Sequence, residues 1–186
     1  MARIYRWQSL EAAGLEHLSL DYRDDVIVAE GMVIGDCGDG PFGCHYRICC
    51  DHGWQVRSVE VHAAGGASLV LTSDGKGHWR DGDGVAQPQL ADCTDVDIAA
   101  TPFTNTLPVR RLGAALRGRT EIAVVYIPVP SLQARRADQA YTPLPDGRMR
   151  YEGPIGEFQA ELTLDADALV LHYPGLFTRL DLAGAT

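Results

Sequence analysis

The chain is 186 residues long, 46% hydrophobic, 22% charged and only 8% aromatic. That length suits one domain, spanning residues 1–186, with enough chain to bury its own core; the ordinary apolar share excludes a disordered, collagen-like or coiled-coil protein. Sixteen basic residues against 25 acidic ones give a net charge of −9, which disfavours nucleic acid as a partner and docking by charge on anionic lipid.

The opening residues, from Met1 to Gly14, contain no apolar run of signal-peptide type, and no stretch approaches the ~18 apolar residues of a membrane span. The expectation is a cytoplasmic protein that is not an integral membrane protein. Short strand-like runs then follow one another, punctuated by Gly, Asp and Pro. In chain order they are Arg3–Leu10, Leu15–Tyr22, Val26–Ile34, Gly43–Asp51, Trp54–His62, Ser68–Ser73, His78–Asp81, Asp95–Ala99, Glu121–Val129, Arg148–Glu152, Phe158–Leu164 and Ala168–Tyr173. The turns between them include Asp36–Gly40, Ser73-Asp74-Gly75 and Asp146-Gly147, where Asp-Gly supplies the positive φ of a tight hairpin. In Trp54–Val61 the apolar phase slips from Trp54 and Val56 to Val59 and Val61, which predicts a β-bulge. Helical signals are scarce. One short piece is expected around Thr101–Leu116, where Thr101 can cap and Pro102 suits the first position, and another around Ser131–Ala137. The fold class is therefore all-β, with one or two short helices.

Two strands are apolar on both faces. Ile122, Val124 and Tyr126 oppose Ala123, Val125 and Ile127; Leu169, Leu171 and Tyr173 oppose Ala168 and Val170. Such strands must be covered on both sides, either by a second sheet layer or because one face lines an apolar cavity. The five cysteines, Cys37, Cys44, Cys49, Cys50 and Cys93, are odd in number and include an adjacent pair, unlike a disulfide framework. They and the neighbouring His45 and His52 lack C-x2-C or H-x3-H spacing, so they read as free thiols and no metal is expected.

The densest polar segment runs from Asp95 to Leu112. On a strand, Asp95 and Asp97 share one side, roughly 7 Å apart. Arg110 and Arg111 can pair with them through two-point contacts and would hold both carboxyls ionised. Thr104 and Asn105 add hydroxyl and amide groups suited to sugar hydroxyls or to an irregular backbone. Near the C-terminus, Tyr173-Pro174-Gly175 is a turn, Leu176-Phe177 reads as core on the returning segment, and Arg179 can join an acidic cluster. The Asp74–Trp79 segment lacks the first glycine of a phosphate loop and reads as a hairpin turn. No nucleophile elbow, zinc-protease helix or kinase motif is present.

The run Thr101-Pro102-Phe103-Thr104-Asn105-Thr106-Leu107-Pro108-Val109-Arg110-Arg111-Leu112 is specific. Together with Asp95–Ile98, Tyr126–Pro130, Arg150-Tyr151-Glu152 and Tyr173–Arg179, it resembles the bacterial family called putative glycolipid-binding proteins. Trp7, the Asp51…Trp54…Arg57 run and Asp74–Trp79 also match. The resemblance implies a spiral β-roll, similar to the half-open barrels of lipoprotein carriers, and binding of a lipid or glycolipid; no cofactor is expected. It brings no catalytic residues. The combined expectation is non-catalytic capture of an amphipathic lipid, its chain between the two-faced strands. The polar head would meet Asp95, Asp97, Thr104, Asn105, Arg110, Arg111 and Arg179. A small hydrolase or isomerase using the Asp95/Asp97 pair, and an interaction module with no ligand cavity, are the alternatives.

Overall fold

The computed structural model describes residues 2–37, 40–154 and 156–181. Fourteen strands form a single sheet. They are β1 (Arg3–Ser9), β2 (Leu15–Tyr22), β3 (Ile27–Cys37), β4 (Gly40–Cys50), β5 (Val56–Ala63), β6 (Ser68–Ser73), β7 (Trp79–Asp81), β8 (Asp95–Ile98), β9 (Thr120–Ile127), β10 (Arg135–Pro143), β11 (Met149–Glu152), β12 (Gln159–Leu164), β13 (Val170–Tyr173) and β14 (Phe177–Arg179). One short helix, α1 (Thr106–Leu112), follows a 3-10 turn at Pro102–Asn105.

The strand order is β7-β6-β5-β4-β3-β2-β1-β14-β13-β12-β11-β10-β9-β8. The first seven strands form an antiparallel meander running away from β1. The chain then crosses to the far edge, and the second meander returns until β14 pairs with β1, Trp7 opposite Arg179. Among the described residues only β8 and β9 pair in parallel, because a crossover rather than a hairpin joins them. The two edges come near each other without a ladder between them among the described residues: the Trp79 indole of β7 donates to the Cys93 carbonyl just before β8, at 2.8 Å. The result is a rolled, unclosed sheet.

Local chemistry explains much of this. Leu18 and Leu20 of β2 alternate with outward residues, and both are fully buried. The phase slip in β5 is a bulge: Cys49 faces Ser58 while Cys50 faces Val56, so Arg57 is the extra residue. Thr101 caps as expected, its hydroxyl accepting from the Phe103 amide at 3.0 Å, with Pro102 in the first position. The β3–β4 hairpin is longer than its sequence suggests, paired from Ile27–Cys50 to Cys37–Gly40. Gly38 and Asp39 of its turn lie outside the described residues.

The expected helix at Ser131–Ala137 is absent; those residues form a turn followed by β10, which pairs with both β9 and β11. The Arg135–Ala140 stretch has few strand-favouring side chains. Its extended form comes from two waiting neighbours rather than from propensity.

The two-faced strands are covered on both sides. Val125 and Ile127 of β9 join Trp7, Tyr46, Ile98 and Phe103 in the larger core, while Ile122 packs on a second core built around Tyr141, Leu162 and Tyr173. Leu169 belongs to the first core and Val170 to the second. The segment carrying α1 bridges them: Phe103 and Leu107 enter the first, Val109 and Leu112 pack on the second. None of the described helices is long and apolar enough to cross a membrane.

Candidate functional site

The polar cluster expected from sequence divides into separate arrangements. Asp95 and Asp97 do share the face of β8 opposite Val96 and Ile98. Asp95 is fully buried and is gripped by Arg111, whose Nε lies 3.0 and 3.1 Å from the two carboxylate oxygens and whose second nitrogen lies 2.6 Å from Oδ2. Arg110 turns away. Its guanidinium lies 5.0 Å from the Trp54 ring centre and 3.8 Å from Asp167. Arg179 pairs with Asp165 and lies 5.7 Å from the Tyr5 ring centre.

Asp97 therefore meets no arginine among the described residues. It accepts from Gln139 Nε2 at 2.6 Å and from the Thr104 hydroxyl at 3.0 Å. Burial pushes its carboxyl above the ordinary range despite those donors. This corrects the expectation that neighbouring arginines would hold both carboxyls ionised. Asn105 is buried; its side-chain oxygen accepts from the Tyr141 hydroxyl at 3.0 Å, and its amide nitrogen donates to the Pro102 carbonyl.

Two half-open clefts share Ala99, Leu176 and Phe177 in their walls. The first, about 430 Å³, is lined mainly by apolar groups, among them Trp7, Leu15, Val33, Phe42 and Val129. Leu15 and Ile34 at its lining remain 41% and 64% exposed, so the apolar surface continues onto the rim. The second, about 510 Å³, combines Asp97, Asn105 and Gln139 with Tyr126, Tyr151 and Phe158. Leu176 and Phe177, expected in the core, are instead half-buried walls common to both lobes.

Each lobe contains a carboxyl without a cationic partner among the described residues. In the first it is Glu16, 2% exposed. The Tyr46 hydroxyl donates to it, and the Thr101 hydroxyl lies 2.7 and 2.8 Å from its two oxygens. Burial pushes the Glu16 carboxyl up to about 7, the hydrogen bonds opposing this only in part. Burial and the nearby Glu16 carboxyl together push Tyr46 well above its ordinary range. The two acids are linked through the turn that holds Thr101 and Thr104, the Thr104 hydroxyl lying 3.4 Å from the Thr101 carbonyl. Thr101 touches Glu16, and Thr104, three residues on, touches Asp97.

Glycine permits both arrangements. Gly31 of β3 faces Tyr46 of β4, and a methyl group there would lie 2.2 Å from the Tyr46 ring. At Gly153 it would lie 2.2 Å from the Tyr151 hydroxyl. Beside Glu16, the Tyr46 ring thus crosses a bare backbone to reach the buried acid.

Sequence reasoning missed Glu16, Tyr46, Gln139 and the aromatic wall. Glu16 carried a readable signal: it stands in the inward phase of β2, in step with Leu18 and Leu20. Gln139 was hidden because its strand was not recognised.

The architecture is an open β-roll with two adjoining clefts, one mainly apolar and one with more polar groups. A family model described as "Putative glycolipid-binding" matches residues 4–179, and the chain belongs to that family. It is also similar to the crystal structure of a DUF1089 family protein from Pseudomonas aeruginosa, at 42% identity and a TM-score of 0.79, covering 90% of this chain and 92% of that one. No curated protein matches the chain.

Proposed function

We propose that the protein binds an amphipathic lipid, a glycolipid being the best fit, without cofactor, and that it does so in the cytoplasm. The carrying observation is that an apolar cleft and a polar, aromatic one lie side by side, sharing Ala99, Leu176 and Phe177 in their walls. Burying a chain there gains ~0.8 kcal/mol per methylene, so eight methylenes offset roughly 6 kcal/mol of association cost. The cytoplasmic setting fits the free thiols of Cys44, Cys49, Cys50 and Cys93. Of the residues singled out in the sequence, Asp97 and Asn105 are the binding candidates we retain. Thr104 supports Asp97. Arg110, Arg111 and Arg179 act in ion pairs and ring contacts elsewhere. A hydrolase using Asp95 and Asp97 would need Asp95 open to a cleft, whereas Asp95 is buried against Arg111.

The test is titration of a fluorescent fatty-acyl probe into delipidated protein. Saturable micromolar binding is expected, little changed by salt because apolar burial drives it, and unchanged by a chelator. Ala99 is exposed at the junction of the lobes, so Ala99→Trp should block the cleft without unfolding the protein and weaken binding at least tenfold. Absence of saturable binding to folded, lipid-free protein would overturn the proposal.

A further inference from the structure

The two lobes differ in chemistry, and the difference assigns the ends of the ligand. Tyr151, Phe158 and Tyr173 form a triangle of rings with centres 6.1 to 6.3 Å apart. Tyr126 adds a fourth ring, with the Arg135 guanidinium 4.6 Å from its centre. The same cleft is lined by Asp97 and the 3%-exposed Gln139, an acceptor and an amide side by side.

A pyranose has an apolar C–H face that packs on aromatic rings and neighbouring hydroxyls that both donate and accept. A carboxyl beside an amide matches such hydroxyl pairs in two-point contacts. An anionic head fits less well. Arg135 is a cation at this lobe without an ion pair among the described residues, but Asp97 and Glu157 line the same cleft. Arg136 is held by Asp138 and the Ala91 carbonyl. The first lobe has rings at Trp7, Phe42 and Phe177 but no side-chain amide among its lining residues, and its mainly apolar walls suit an alkyl chain.

We infer that the Asp97–Gln139 cleft, walled by Tyr126, Phe158 and Tyr173, is a subsite for a neutral sugar, with the ligand's chain running past Phe177 into the Trp7 lobe. This assignment rests on the lipid-binding proposal and adds the identity and direction of the head group.

The experiment is calorimetric titration of octyl β-glucoside, 1-octanol and octyl phosphate, all below micellar concentration. The wild type should bind the glucoside at least tenfold more tightly than either of the others. Asp97→Asn should lower glucoside affinity about tenfold and leave octanol binding unchanged. Phe158 is 39% exposed, so Phe158→Ala tests the same wall without risk to folding and should weaken the glucoside several-fold. If octanol binds as tightly as the glucoside, or both variants weaken the two ligands equally, the sugar subsite is overturned while chain binding stands. Tighter binding of octyl phosphate would also overturn it in favour of an anionic head. If no octyl ligand binds, the lipid proposal fails. Methyl β-glucoside then decides the subsite alone: saturable binding abolished by Asp97→Asn supports it, and no binding overturns it.

Discussion

Replacing Glu16 with Gln isolates the cost of a buried carboxyl. Glu16 is an ordinary carboxyl near 4.5 in the unfolded chain and is pushed up to about 7 by burial in the fold. Below the unfolded value both states hold the proton, and folding incurs no charge penalty. Between the two values the unfolded chain ionises while the native protein keeps its proton, so stability falls as pH rises. Above the native value both are ionised and the loss is complete. Each pH unit of displacement is worth about 1.36 kcal/mol, which puts the whole loss on the order of 3 kcal/mol.

Gln removes the titration and keeps the bonds. Its oxygen can accept from Tyr46, and its amide can donate to the Thr101 hydroxyl, which faces both carboxylate oxygens. Urea unfolding of both proteins between pH 5 and pH 8 should show the variant gaining about 2–3 kcal/mol over the wild type across that range. The background titration of other groups cancels in the difference. Parallel pH profiles for the two proteins would refute the reasoning and show that water reaches Glu16.

Gly31→Ala should destabilise by about 1–3 kcal/mol, because its methyl meets the Tyr46 ring at 2.2 Å; a double-mutant cycle with Tyr46→Leu in urea should show coupling on the order of 1 kcal/mol. Arg111→Met should cost about 3–5 kcal/mol by stranding the buried Asp95 charge. Arg110→Ala, which loses only a part-exposed pair and a ring contact, should cost about 1 kcal/mol or less in the same assay. Cys44 and Cys93, whose thiols burial pushes up to about 11, should resist alkylation at pH 8 until the protein unfolds, as read by mass spectrometry.

The sequence by itself determined the β-class, nearly every strand, the bulge in β5, the cap at Thr101 and the approach of an arginine to Asp95. Each is written in local pattern: alternation, turn residues, a phase slip, charge spacing. Only the tertiary structure decided which arginine closes on Asp95, because adjacent residues on a helix point in different directions and their destinations depend on what packs against it. It alone made Arg135–Pro143 a strand, since hydrogen bonds from β9 and β11 outweigh a weak local preference. It also decided that the carboxyls beside the cleft are Glu16 and Asp97 rather than Asp95 and Asp97. Glu16 and Thr101 are 85 residues apart in the chain, and no local spacing encodes their meeting. They meet because the roll brings β2 against the segment after β8, where burial pushes the Glu16 carboxyl up to about 7.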